Sequence, residues 1–172
     1  MRPKITPREN ELVMREDDFI VSKTDKTGVI TYCNRIFMEF AKYEEKDLIG
    51  QQHNIIRHPD MPRCIFKLLW DTLHDKREIN AYVKNLSSDG SYYWVFANVT
   101  SSYDDNGELK GYYSVRRKPE KQKLDKVKKL YKDLLNEEKK YGPKEGLQAS
   151  ERMLNNILQE QGKSYEEFIF SL

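Results

Sequence analysis

The chain has 172 residues, 38% hydrophobic and 34% charged, with 30 Lys and Arg against 28 Asp and Glu and a formal net charge of +2. That length suits one domain plus an appendage, and the near balance of charge gives no electrostatic case for a nucleic-acid partner. No run reaches the roughly 20 apolar residues of a membrane span, and Cys33 and Cys64, far apart and in no metal-ligand spacing, are expected to be reduced thiols.

Residues 1–17 carry two prolines and many charges, and read as a mobile arm with a short helix near Glu9–Arg15. The arm lacks the apolar centre of a secretory signal, so a cytoplasmic location is the expectation. FIVSKTD (Phe19–Asp25) reads as a strand, Lys26-Thr27-Gly28 as a turn and VITYCN (Val29–Asn34) as a second strand. Asn34 can cap a helix starting at Arg35, with Ile36, Phe37, Phe40 and Ala41 on one face. Glu44–Leu48 is a further helical turn, closed by Gly50. The prolines flanking Asp60 forbid a long helix, and Pro62 opens one that runs to about Asp75. Its stripe of Ile65, Phe66, Leu69, Trp70 and Leu73 is expected to face a core.

INAYVKN (Ile79–Asn85), SYYWVFANVTSSY (Ser91–Tyr103) and ELKGYYSVRRK (Glu108–Lys118) read as strands, the latter two joined by the turn Asp104-Asp105-Asn106-Gly107. The order β-β-α-α-α-β-β-β predicts an α+β domain at 18–118, a five-stranded antiparallel sheet with helices on one face. Residues 119–172 form a helical appendage. Leu124, Val127, Leu130, Tyr131 and Leu134 mark one amphipathic helix, Leu147–Gln161 a second, and the capping box Ser164-Tyr165-Glu166-Glu167 opens a third.

Specific segments narrow the reading. IGQQHNIIRHPDMP (Ile49–Pro62), LLWDTL (Leu68–Leu73), VKNLSSDGSYYWVFANV (Val83–Val99) and GYYSVR (Gly111–Arg116) together resemble the PAS sensor domain of bacterial aerotaxis receptors, over about 100 of the 172 residues. The resemblance implies a PAS fold and a non-covalently held flavin, FAD in preference to FMN. Flavin binding requires an apolar slot, donors along the pyrimidine edge and cations or polar groups near the phosphates.

The resemblance supplies candidates for each part. Asn85 matches the amide that meets the ring edge in related flavin-binding domains, where donor and acceptor are both useful. Arg116 falls where the blue-light branch carries a Gln, and a cation there favours negative charge on a reduced flavin. Strand alternation sends only one of Arg116 and Arg117 inward. Arg57 is a bidentate candidate for a diphosphate, and His58 for the ribityl chain or phosphate. Asp60 completes that signature by fixing the loop or Arg57, and Trp70 is a candidate wall for the ring. His53 stands near the place of the blue-light branch's photoactive cysteine, which removes the case for a photoadduct. Asn34 joins the cofactor-binding set from the end of the second strand.

Each residue also has a plainer reading: a structural loop for the RHPDMP segment, a solvated strand arginine, a core tryptophan. His58 before a proline further admits haem ligation. His53, His58 and His74 lack the companions of a metal site, and neither a nucleophile elbow nor a GxGxxG fingerprint occurs, so no enzyme is expected. The family's receptors carry membrane helices and a signalling coiled coil. This sequence shows neither, which implies a stand-alone sensor docking on a membrane-bound chemotaxis transducer and recruited by it to the inner membrane face. The terminal helices pack on the domain, on that partner or on a second copy, which leaves a homodimer through the PAS domain or the helices open. The rival reading is a cofactor-free interaction module.

Overall fold

The computed structural model describes residues 4–172. Strands β1 (Phe19–Asp25), β2 (Ile30–Cys33), β3 (Ile79–Leu86), β4 (Tyr92–Tyr103) and β5 (Leu109–Arg117) form one sheet in the order β2-β1-β5-β4-β3, with every neighbouring pair antiparallel. The first hairpin thus pairs with the last strand, Val21 opposite Val115, and closes the sheet around the intervening helices. Gly111 is required where β5 passes β1, because a Cβ there would stand 1.9 Å from the Thr24 carbonyl oxygen.

Period-2 alternation gives the sheet two apolar faces. Ile20, Tyr93, Val95 and Ala97 point to the inner face, where they meet helix α1 (Arg35–Ala41) through Phe37 and Ala41 and α2 (Glu45–Leu48) through Leu48. A 3-10 turn, His53–Ile56, adds Ile55 and Ile56, and α3 (Arg63–His74), immediately after Pro62, completes that layer. Tyr82, Trp94 and Phe96 point outward and are covered by α4 (Lys121–Lys139), α5 (Pro143–Glu160) and α6 (Tyr165–Ser171) through Val127, Leu134, Leu154 and Ile169. The layer expected on one face is α1–α3, and the appendage builds a second layer on the other. Burial of such side chains is worth about 1.5–3 kcal/mol each. Helix α5 starts earlier than its apolar pattern indicates because Pro143 occupies the first turn, where its missing N–H costs nothing.

A buried carboxylate fastens the appendage. Glu138 of α4, 6% exposed, accepts from Arg63 Nε (3.0 Å), from the Cys64 backbone N–H (3.2 Å) and from Ser150 Oγ (3.0 Å). One side chain therefore joins α4 and α5 to the first turn of α3, where a negative charge also meets the positive end of the helix dipole.

The helix expected near Glu9–Arg15 is not formed. The arm is extended, with Glu11 in a parallel bridge to Tyr92, Leu12 N–H donating to the Tyr92 carbonyl (2.7 Å) and Tyr92 N–H to that of Asn10 (2.9 Å). It occupies the β4 segment that β5 does not reach. Met14 is buried and Leu12 packs beside it in the inner core, two residues apart as in a strand. Cys33 and Cys64 are both free and buried.

Candidate functional site

The α3 stripe does not close on the sheet. Between them lies a cavity of about 320 Å³, lined from α3 by Phe66, Leu69, Trp70 and Leu73, within the range of small-ligand sites. The inward positions of the strands form its floor: Ser22 and Thr24, Val83 and Asn85, Ala97 and Val99, Tyr112, Ser114 and Arg116. Three of these, Ser22, Ala97 and Ser114, are small where the register brings Ser22 opposite Ser114 and Ala97 opposite Arg116, and that is what leaves the space. The walls are largely apolar, with Trp70, 40% exposed, meeting Tyr112 edge-on at 5.1 Å on the solvent side.

The polar groups are few and unevenly satisfied. Arg116 is 2% exposed and ion-pairs with no carboxylate among the described residues. Its guanidinium lies 4.6 Å from the centre of the Phe37 ring, and Nη2 donates to Ser22 Oγ. Nε and Nη1 have no hydrogen-bond partner among the described residues. Burial pushes its pKa down to about 10. Ser22 Oγ also lies 3.0 Å from Nε2 of His53, whose ring stacks on Phe37. Arginine can only donate, so the Ser22 hydroxyl accepts from it and can pass its own hydrogen to His53. Burial, followed by the Arg116 charge, lowers the His53 pKa to about 3, so the imidazole is neutral at physiological pH. Asn85, 3% exposed, leaves Nδ2 unpartnered, as Thr24 leaves Oγ1. Buried donors without acceptors cost about 1–3 kcal/mol each. The arrangement suits a planar, mostly apolar ligand with acceptor atoms along one edge.

The cavity brings together His53, Arg57, Trp70, Asn85 and Arg116. Arg57 bridges Asn85 through the backbone and sets its guanidinium 4.1 Å from the Phe66 ring centre. Asn34, His58 and Asp60 lie outside it. Asn34 is consumed locally: Oδ1 accepts from Phe37 N (3.0 Å) and Val21 N (3.0 Å), and Nδ2 donates to the Phe19 carbonyl (2.7 Å). His58 is buried edge-on to Tyr92, with Nδ1 accepting from Asp60 N at 3.0 Å. Asp60 binds the outward-facing Lys84 at 3.0 Å. Ser22, Thr24 and Ser114 line the cavity without having been singled out in the sequence. Their signal was small polar residues on the inward phase of β1 and β5.

Comparison with known proteins agrees with this fold. Residues 30–116 match the family model for the PAS fold. The aerotaxis receptor of Escherichia coli (strain K12) is 35% identical over 132 residues, 77% of this chain and 26% of that receptor. A nitrogen fixation regulatory protein of Klebsiella pneumoniae is 29% identical over 97 residues, 56% of this chain and 20% of that protein. The chain therefore spans about a quarter or less of the length of these relatives. Among solved structures, a light-oxygen-voltage domain whose mechanism was probed with a flavin analogue superposes with a TM-score of 0.54 at 21% identity, covering 69% of this chain and 87% of that one. At that identity the likeness shows the fold alone.

Proposed function

The chain belongs to the PAS fold family, and on that premise we propose that it is a flavin-binding redox sensor for aerotaxis or energy taxis, not an enzyme. The observation that carries the reading is Arg116: a buried cation with two unpartnered nitrogens, in a cavity with apolar walls that Asn85, its amide nitrogen also unpartnered, lines as well. These groups fit a flavin. Asn85 and Arg116 would meet the polar edge of its ring, Trp70 and Phe66 an apolar face, and Arg57 a phosphate of FAD, the form favoured over FMN. The similarity to the aerotaxis receptor supports the same cofactor class and the same kind of signal. When bound, a flavin supplies reversible uptake of electrons.

The protein's part is to feel the resulting charge. Arg116 holds a fixed positive charge at the cavity wall and divides its donors between Ser22 and whatever acceptor the cavity presents. A more negative acceptor draws the guanidinium from Ser22 and loosens the link to His53. Two routes lead outward. The helix α3 that carries Phe66 and Trp70 is tied at its first turn, through the Arg63 side chain and the Cys64 N–H, to Glu138 of the appendage. The strands that carry Asn85 and Ala97 inward carry Tyr82, Trp94 and Phe96 outward onto the appendage. The appendage and outer sheet would contact a membrane-bound chemotaxis transducer, with a second copy of the chain as the other candidate partner. Action at the cytoplasmic membrane face belongs to this proposal. The described residues include no helix long and apolar enough to cross a membrane.

The test is the absorption spectrum of the purified chain, followed by identification of the released cofactor and titration of stripped protein with FAD and FMN. Flavin bands and released FAD are expected. A chain that binds neither flavin overturns the reading and leaves a cofactor-free interaction module. A Soret band would replace it with haem, whose candidate ligand His58 lies outside the cavity.

A further inference from the structure

The molecule has a second concavity, on the opposite face of the sheet from the first. It measures about 380 Å³ and lies between α4 and the outward side chains of β3 and β4. We propose that this outer groove is a binding site for a nucleoside phosphate.

The sequence builds it simply. Lys128, Lys132 and Lys139 recur on α4 at spacings that keep them on one stripe, next to the buried stripe of Val127, Tyr131 and Leu134. Packing the apolar stripe against the sheet therefore turns the lysines over the rim. Lys84, on the outward phase of β3, faces them across the groove.

Charge is concentrated there beyond what the chain as a whole suggests. Lys84 is 16% exposed, bonds Asp60 at 3.0 Å and lies 4.4 Å from the Tyr92 ring centre. Lys128 is shared between Glu11 at 3.8 Å and the Trp94 ring at 5.8 Å. Lys132 and Lys139 make no ion pair with any described residue. The four lysines face two carboxylates, in a protein whose net charge is only +2.

Between the lysines the wall is aromatic. Trp94 is 7% exposed and meets the Tyr131 ring at 6.0 Å, with Tyr92 beside it. Cations alone would take any anion. Cations beside aromatic faces in a concave site take an anion that carries a ring, with phosphate on the lysines and base against the indole or phenol. A flat lipid surface would not use the concavity, and an apolar peptide would leave the lysines desolvated.

The ADP half of a dinucleotide offers the same chemistry as a free nucleotide, so the test separates the two. Isothermal titration calorimetry is run with ADP on the full chain, both flavin-free and loaded with FAD, with adenosine and pyrophosphate as comparators. ADP is expected to bind more tightly than either comparator, and less tightly as salt rises. The double variant Lys132→Ala and Lys139→Ala removes two exposed side chains that hold no fold contact named above, and should weaken ADP binding about tenfold or more. Binding in both preparations assigns the site to free nucleotide, and binding only in the flavin-free chain assigns it to the dinucleotide's own tail. No heat with ADP, equal affinity for pyrophosphate, or an unchanged double variant overturns the proposal.

Discussion

The two faces of this sheet are made by the same strands and are packed in opposite ways. Outward, β3 and β4 present Tyr82, Trp94 and Phe96, large side chains that meet Val127, Leu134 and Leu154 of the appendage. Inward, the middle of the sheet presents Ser22, Ala97 and Ser114, and the stripe of α3 stands off from them across a cavity. The outer face is largely apolar and ties Tyr131 to the Tyr82 carbonyl at 2.7 Å, leaving the Tyr165 hydroxyl without a partner among the described residues. The inner face leaves donors of Asn85 and Arg116 open. Close apolar packing is concentrated on one side and an enclosed space with buried unpaired donors on the other, and the pleat lets a single strand serve both.

Truncation should expose this difference most strongly. Leu134→Ala, at a position with no exposure, should cost about 3 kcal/mol in urea unfolding. Leu69→Ala, whose side chain borders the cavity, should cost about 1 kcal/mol, since it already lacks neighbours on one side. Equal costs would mean that the inner face is as tightly packed as the outer, and the contrast would fail. Next in size is Glu138→Ala, which strands the Cys64 N–H and frees Arg63 Nε, while the Ser150 hydroxyl keeps the Leu147 carbonyl and Arg63 Nη1 keeps that of Pro143. A loss of about 2 kcal/mol is expected, moderated because Arg63 keeps access to water. The protein should also lose protection from hydrogen exchange first in α5. A loss spread evenly over all helices would show that Glu138 is not the specific tie.

Arg116→Met changes sign between the two states of the protein. Without ligand, it removes a buried cation that no carboxylate balances, and should raise stability by about 1–2 kcal/mol. With flavin, it removes the donors at the ring edge and should weaken affinity by about tenfold or more. Paired thermal melts and flavin titrations read both signs. A variant that loses stability without ligand would show that Arg116 belongs to the fold and not to the site.

The strands, the turn at residues 104–107, the opening of α3 after Pro62 and the capping box at Ser164 were legible because each rests on local chemistry. The arm was not. Its prolines and charges suggested a mobile arm with a short helix near Glu9–Arg15, whereas its partner is Tyr92, some eighty residues away, and only the Leu12 and Met14 alternation hinted at extension. Family likeness pointed to His53, Arg57, Trp70, Asn85 and Arg116, which line one cavity, and strand alternation required that only one of Arg116 and Arg117 turn inward, which in the structure is Arg116. It could not say which way side chains leave an irregular loop. His58 and Asp60 sit in a turn between a 3-10 helix and a proline, with no period to fix their direction, and they face Tyr92 and Lys84. Asn34 had two readings, and the local one, capping α1 while tying it to β1, used all of its hydrogen-bonding groups.

The smallest effect expected is a pH dependence at His53, and it bears on how dry the inner face is. The folded protein holds this imidazole near pKa 3, by burial and then by repulsion from Arg116, against an ordinary value of 6.5. Between those values the unfolded chain binds a proton that the folded one refuses. Stability therefore rises with pH across the window and is lost as pH falls from about 6.5 toward 3. On going from about pH 7.5 to about pH 5.5, this one group should remove about 1 kcal/mol from the flavin-free protein. His53→Gln keeps an acceptor for the Ser22 hydroxyl and cannot titrate, so the variant's loss over the same interval should be smaller by that amount in urea unfolding at each pH. Superimposable pH profiles for the two proteins would mean that water reaches the imidazole freely. The Arg116–Ser22–His53 chain would then be a solvated edge, not the interior of a ligand site.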